Sequence, residues 1–126
     1  MEIINLHGKE TPTAPNIVLI DRRSKWGNPY KMDSEKDRLK VIWNYVFYVL
    51  DKPELLNDIH SLEYKTLACW CVPAPCHGEV LKYLAEHPWI IIRYQRGSIT
   101  KEEIAESIFM LNGWNVPGTT KQITLF

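Results

Sequence analysis

Residues 65–87, "KTLACWC" then "VPAP" then "CHGEVLKYLAEH", constrain the chain more than any other stretch. A segment of strand character runs into a turn holding two prolines. The turn leads directly to Val80, Leu81, Leu84 and Ala85 at helical spacing. A strand joined to a helix over so short a turn lays the helix back on its own sheet. The apolar run "WIIIRY", residues 89–94, has the length and composition of a strand buried on both faces. Strand 65–71, helix 76–87 and strand 89–94 therefore predict a right-handed βαβ crossover.

The rest of the chain fits that frame. "EIINLH" and "NIVLID" have the β-branched content of short strands, separated by the turn-rich "GKETPTAPN". Ser34 and Asp37 have capping-box spacing ahead of the helical segment "EKDRLKVIWNYVFYVL". Leu39, Ile42, Trp43, Val46, Val49 and Leu50 make its core stripe. Pro53 ends that helix and opens a shorter one, "PELLNDIHSL". Thr100 and Glu103 form a second capping box before "KEEIAESIFML", and Gly113 sits where a helix C-cap glycine belongs. The expected architecture is a single three-layer-like α/β domain over residues 1–113, with a tail over 114–126. A small mixed, partly parallel sheet of about four strands would lie among flanking helices.

At 126 residues the chain is long enough to bury a core without staples. Its 15 basic and 15 acidic residues cancel. No global field recruits duplex DNA or an anionic membrane, so an anion site must be local. The start "MEIINLHGKE" lacks the basic and apolar regions of a signal peptide, and no apolar run reaches spanning length. Three cysteines, two of them one residue apart, do not make a disulfide framework. The expected setting is a reducing cytoplasm.

In open α/β sheets, ligands bind beyond the carboxyl ends of the strands. Two loops follow such ends. The first, "DRRSKWGNP", offers the cations Arg22, Arg23 and Lys25, the Ser24 hydroxyl, and a Gly27–Asn28 turn with exposed amides. Trp26 can stack on a ring or pack in the core. The second loop contains Trp70, Cys76, His77 and Gly78. Helix N-terminal amides and an imidazole there suit a phosphate, and Gly78 admits close approach. Cys76 in the helix dipole could instead be a catalytic thiolate with His77 as acid or base, and Asp21 or Glu79 assisting. Cys69 and Cys71 point to one face of their strand and read as core. A metal is not expected, because Cys-x-Cys and adjacent Cys-His are not the usual paired zinc hooks.

"SKWGNPY" followed by "LACWCVPAPCHGEVL" resembles the family called domain of unknown function 4326, common in bacteriophages and also found in bacteria. The resemblance covers roughly residues 17 to 87. It is carried by Arg22, Ser24, Trp26, Gly27, Asn28, Pro29 and Tyr30, then by Leu67, Ala68, Cys69, Trp70, Cys71, Pro73, Pro75, Cys76, His77, Gly78, Val80 and Leu81. Where the family often has a Gly-Arg pair before the serine, this chain has Asp21-Arg22-Arg23. The resemblance implies that the two loops belong together and that the chain is phage-encoded, in a bacterial host cytoplasm. It implies no activity.

Three functions compete at this stage. The first is binding of a phosphorylated small molecule, a nucleotide or nucleotide-derived signal, without a cofactor, and in a phage this would serve counter-defence. The second is an enzyme on nucleotides or nucleosides using Cys76 and His77. The third rests on the last residues, "QITLF", which look like a sliding-clamp docking peptide anchored by Gln122, Leu125 and Phe126. In that reading the chain is an accessory of DNA metabolism.

Overall fold

The computed structural model describes residues 1–6 and 14–118. Three short strands, β1 (Glu2–Asn5), β2 (Ile17–Leu19) and β3 (Thr66–Cys69), form one sheet. β3 lies in the centre, in the order β1-β3-β2. Both pairings are parallel: Glu2 and Ile17 each stand opposite Thr66, and Ile4 and Leu19 opposite Ala68. The main-chain ladder extends beyond the strands, with Leu6 N–H donating to the Cys69 carbonyl and Ile20 N–H to that of Ala68. All three carboxyl ends therefore open on the same side.

Five α-helices surround the sheet: α1 (Arg38–Leu50), α2 (Pro53–Asp58), α3 (Gly78–Glu86), α4 (Pro88–Gln95) and α5 (Lys101–Asn112). Single 3-10 turns precede α1 and follow α2. The crossover between the parallel strands β2 and β3 is carried by α1 and α2, and α1 packs on α2 and α5. Core residues come from every layer, with Tyr45, Leu67, Leu81, Leu84, Ile104, Ile108 and Phe109 fully buried. The expected α1 stripe forms, with Ile42, Val46, Val49 and Leu50 buried and Leu39 and Trp43 half-buried. Residues 114–118 do not hang free, for Trp114 meets the Phe109 ring edge-on at 5.3 Å and Val116 packs on the core.

The α/β class is as expected, and one element differs. "WIIIRY" is not a strand but most of α4. An apolar run of this length fits a strand or a half-buried helix, and tertiary context decides. Here Pro88 occupies the first helical turn, where its missing N–H costs nothing. His87 ahead of it takes an extended φ of −129°, as a residue before proline must, and this separates α3 from α4. Only Ile90 and Ile91 are buried, whereas Trp89 and Ile92 are exposed, a pattern no central strand could show. The expected crossover over residues 65–94 is therefore absent. Among the described residues the sheet has three strands rather than about four, and it is wholly parallel.

The Thr100–Glu103 capping box forms, and Gly113 ends α5 at a φ of 72°. The Ser34 box does not. Ser34 makes no side-chain cap, and the Asp37 carboxylate instead accepts from Asp33 N–H, so a 3-10 turn precedes α1.

Tyr45 fastens the helical layer to the loop after β2. Its hydroxyl, buried inside α1, donates to the Trp26 carbonyl at 2.6 Å. Burial raises its pKa well above the ordinary phenol value, so the hydroxyl stays a donor. Replacing Tyr45 by Phe leaves that carbonyl without its partner. We expect a loss of about 1–2 kcal/mol, read as a lower urea midpoint with an unchanged m-value.

Candidate functional site

Because β2 and β3 are parallel neighbours, the loop after each leaves from the same edge of the sheet. Between them lies a cleft of about 480 Å³. The first loop contributes Asp21, Arg22, Arg23, Asn28, Tyr30 and Met32; the second contributes Trp70, Cys71, Pro75 and His77, with Cys69 from the end of β3. One wall is the first part of α1, namely Arg38, Val41 and Ile42.

Asp21 organises the rim. Its carboxylate accepts from Arg23 N–H at 3.0 Å and from the Arg23 guanidinium at 2.7–3.2 Å. It also accepts from the Trp70 indole N–H at 3.0 Å, which joins the two loops. These donors, Arg23 foremost, hold the carboxyl down at about 2. The arginines then separate by commitment. Arg23 is bound to Asp21, and Arg38 is bound twice to Glu35 and once to the Pro75 carbonyl. Among the described residues Arg22 makes two long hydrogen bonds, 3.4 Å to the Asn28 carbonyl and 3.5 Å to that of Tyr30. Asn28 is pinned, donating to the Val41 carbonyl and accepting from Tyr30 N–H.

Arg22, Arg23, Asn28, Trp70 and His77 thus line the cleft, while Ser24, Lys25, Trp26, Gly27, Cys76 and Gly78 do not. The turn is built inward. Ser24 N–H bonds the Asp21 carbonyl, Gly27 N–H the Ser24 carbonyl and Trp26 N–H the Ser24 hydroxyl, so these amides are not offered to a ligand. Trp26 is buried in the core and does not stack in the cleft. Lys25 pairs with Asp58 and lies over the Trp26 ring. Gly27 is there for space, since a Cβ would stand 2.6 Å from the Asp21 carbonyl oxygen and 2.7 Å from Arg22 Cα.

The start of α3 is equally closed. Gly78 N–H bonds the Cys76 sulfur, Glu79 N–H the Cys76 carbonyl and Val80 N–H the His77 carbonyl, so these three amides are already spent within the turn. A Cβ at Gly78 would stand 2.8 Å from Ile20 Cδ1 and 3.1 Å from Ile3 Cδ1. Its smallness serves helix-on-sheet packing, not ligand approach. Glu79 lies away from the cleft.

His77 is buried, its Nε2–H donating to the Ile20 carbonyl at 2.7 Å and its Nδ1 lying 3.8 Å from the Cys76 sulfur. Its ring stands edge-on to Tyr45. The three thiols gather beside it: Cys69 and Cys76 sulfurs are 3.0 Å apart, and all three lie within 4.8 Å of one another. The expectation of an acidic Cys76 is reversed. Contacts with Cys69 and Cys71, then burial, push the Cys76 thiol far up. Contacts from Cys69, Cys76 and His77 hold Cys71 well below the ordinary thiol range. Cys71, half-buried and lining the cleft, is the thiol with ligand access that the helix-dipole argument overlooked. Arg38 was also overlooked, because its place opposite Pro75 depends on the fold. Gln122, Leu125 and Phe126 lie outside the described residues.

The chain belongs to the family described as Domain of unknown function (DUF4326), whose model matches residues 4–87. That span holds both loops and the whole cleft wall. No curated protein and no solved structure matches the chain. No helix among the described residues is long and apolar enough to cross a membrane.

Two outcomes follow from this geometry. Gly27→Ala forces the backbone of the first loop apart and should cost about 1–3 kcal/mol by chemical denaturation. Gly78→Ala meets side-chain atoms rather than backbone, the tips of Ile20 and Ile3 and then the Cys76 sulfur, and should cost less. For Asp21 the folded pKa, about 2, lies below the unfolded one. Its stabilising contribution is therefore complete above about pH 4 and lost as pH falls towards 2. The difference in urea midpoint between wild type and Asp21→Asn should shrink over that interval.

Proposed function

We propose that this family member binds a small molecule carrying both an anionic group and a flat ring, of the nucleotide class, in the cleft between the two loops. The reading rests on one juxtaposition. Arg22, weakly engaged, shares the cleft with Trp70, whose indole is 51% exposed while its N–H is tied to Asp21. A guanidinium with donors to spare suits phosphate oxygens, and an open indole face suits a base. The local charge supports the same reading. Among the described residues three guanidinium groups line the cleft against a single carboxylate, a local excess of positive charge in a chain whose charges cancel overall. A volume of about 480 Å³ lies within the usual range for small-molecule sites.

The arginines divide the work. Arg22 contacts the ligand, whereas Arg23 and Arg38 are spent on Asp21 and Glu35 and hold the walls. His77 is floor rather than acid or base, since the ring is buried, its Nε2–H is held by the Ile20 carbonyl and its Nδ1 lies beside the Cys76 sulfur. Capture is therefore favoured over conversion.

Isothermal titration with nucleoside mono-, di- and triphosphates tests this, with product analysis by mass spectrometry. We expect saturable binding of at least one of them, recovered unchanged. Arg22→Ala should weaken it about tenfold, the scale of one charge-assisted hydrogen bond, at an unaltered urea midpoint. Arg23→Ala should instead lower the midpoint. Failure of every phosphate compound to bind, or indifference to Arg22→Ala, overturns the site, and a converted nucleotide overturns capture.

A further inference from the structure

We propose that Cys69, Cys71 and Cys76, together with Nδ1 of His77, form a site for one thiophilic metal ion of the zinc class. The proposal concerns the sulfur cluster in the cleft wall and does not rest on ligand capture.

The distances suit a tetrahedral thiolate site. With Zn–S bonds of about 2.3 Å, tetrahedral ligands stand about 3.8 Å apart. The three sulfurs already lie within 4.8 Å of one another, the closest pair at 3.0 Å, and Nδ1 of His77 is 3.8 Å from the Cys76 sulfur. Shifts of about an ångström bring the three sulfurs to that spacing, and Nδ1 of His77, beside the Cys76 sulfur, is the nearest candidate for the fourth position.

The surroundings of the donors point the same way. The Nε2–H bond to the Ile20 carbonyl puts the proton of a neutral His77 on Nε2 and leaves Nδ1 a bare lone pair. A carbonyl holding the far nitrogen of a histidine is the standard support of a metal-bound imidazole. Gly78 N–H donates to the Cys76 sulfur at 3.3 Å, so this sulfur already serves as an acceptor. Arg38 lies against Cys71, where its charge offsets the excess of three thiolates over a divalent ion. Cysteines serving only as small hydrophobes would have no reason to turn their sulfurs towards one another. Binding is ligand exchange without electron transfer: three S–metal bonds and one N–metal bond form, and the thiol protons leave to solvent.

The linear spacing hides this. Cys69 and Cys71 leave β3 on one face, and the turn over residues 72–75 returns the chain so that Cys76 and His77 meet them. The loop that carries Trp70 is then clamped at both ends.

The test uses the full chain, expressed with zinc supplied and purified under reducing conditions without chelator. Elemental analysis should give about one zinc per chain. Cobalt titrated into metal-free protein should produce the intense ligand-field bands of a tetrahedral thiolate site, and stripping the metal should lower Tm. Cys69→Ser and Cys71→Ser should each reduce bound zinc several-fold. Cobalt spectroscopy on the wild-type chain does not depend on those variants folding. Less than about a tenth of an equivalent of zinc with no tetrahedral cobalt spectrum overturns the proposal, as does a Cys69–Cys76 disulfide in the freshly isolated protein. His77→Gln should shift the cobalt bands and weaken metal affinity. An unchanged spectrum would remove His77 from the ligand set.

Discussion

Parallel pairing of β2 with β3 is the constraint on which the rest of this molecule depends. Had the strands run in opposite directions, the arginine loop and the cysteine loop would leave from opposite edges of the sheet. With both parallel, Ile20 and Cys69 emerge side by side, and each segment beyond them must be satisfied by the other. The bond from His77 Nε2 to the Ile20 carbonyl does this within the core, and the bond from the Trp70 indole to Asp21 does it at the rim. The cleft is the space left between those two fastenings.

The cleft's polarity follows from how its cations are used. Clustered arginines suggest equal partners for an anion, but each guanidinium answers first to the acceptor nearest it. Asp21 takes Arg23, Glu35 takes Arg38, and Arg22 is left with two distant carbonyls. A carboxylate inside a proposed anion site is thus no contradiction. It is neutralised by its own arginine, and its remaining capacity orients the indole.

Features carried by local rules were legible in the sequence. The capping box at Thr100, the glycine after α5, the apolar stripe of α1 and the strand-turn-helix of residues 65–87 each depend on residues a few positions apart. The misreadings arose where distant neighbours decide. "WIIIRY" is β-branched enough for a strand, yet β3 already has a partner on each side, and the run finds its burial as a helix on the core. Gly78 reads as an opening for a ligand, whereas the atoms opposite it belong to Ile3 on β1 and Ile20 just past β2. Asp37 has the right spacing to cap with Ser34 but is claimed by the Asp33 amide. Arg38 has no signature in any short window, and the three cysteines, though close in sequence, meet only because the turn over residues 72–75 brings Cys76 back to Cys69 and Cys71.

Cys71 and His77 belong both to the cleft lining and to the sulfur cluster, so the two features share a wall. Trp70 stands between Cys69 and Cys71 in the chain. Whatever fixes both sulfurs also fixes its backbone on either side, leaving the indole only its side-chain torsions, one end of which Asp21 already holds. An exposed tryptophan on a loop normally surrenders side-chain freedom when it binds, and that loss is subtracted from affinity. Here the loss has largely occurred during folding. On the proposed reading, the same residues that look like idle core sulfur in the sequence would bear on recognition, because they would set how stiff a surface the cleft presents to a flat ring.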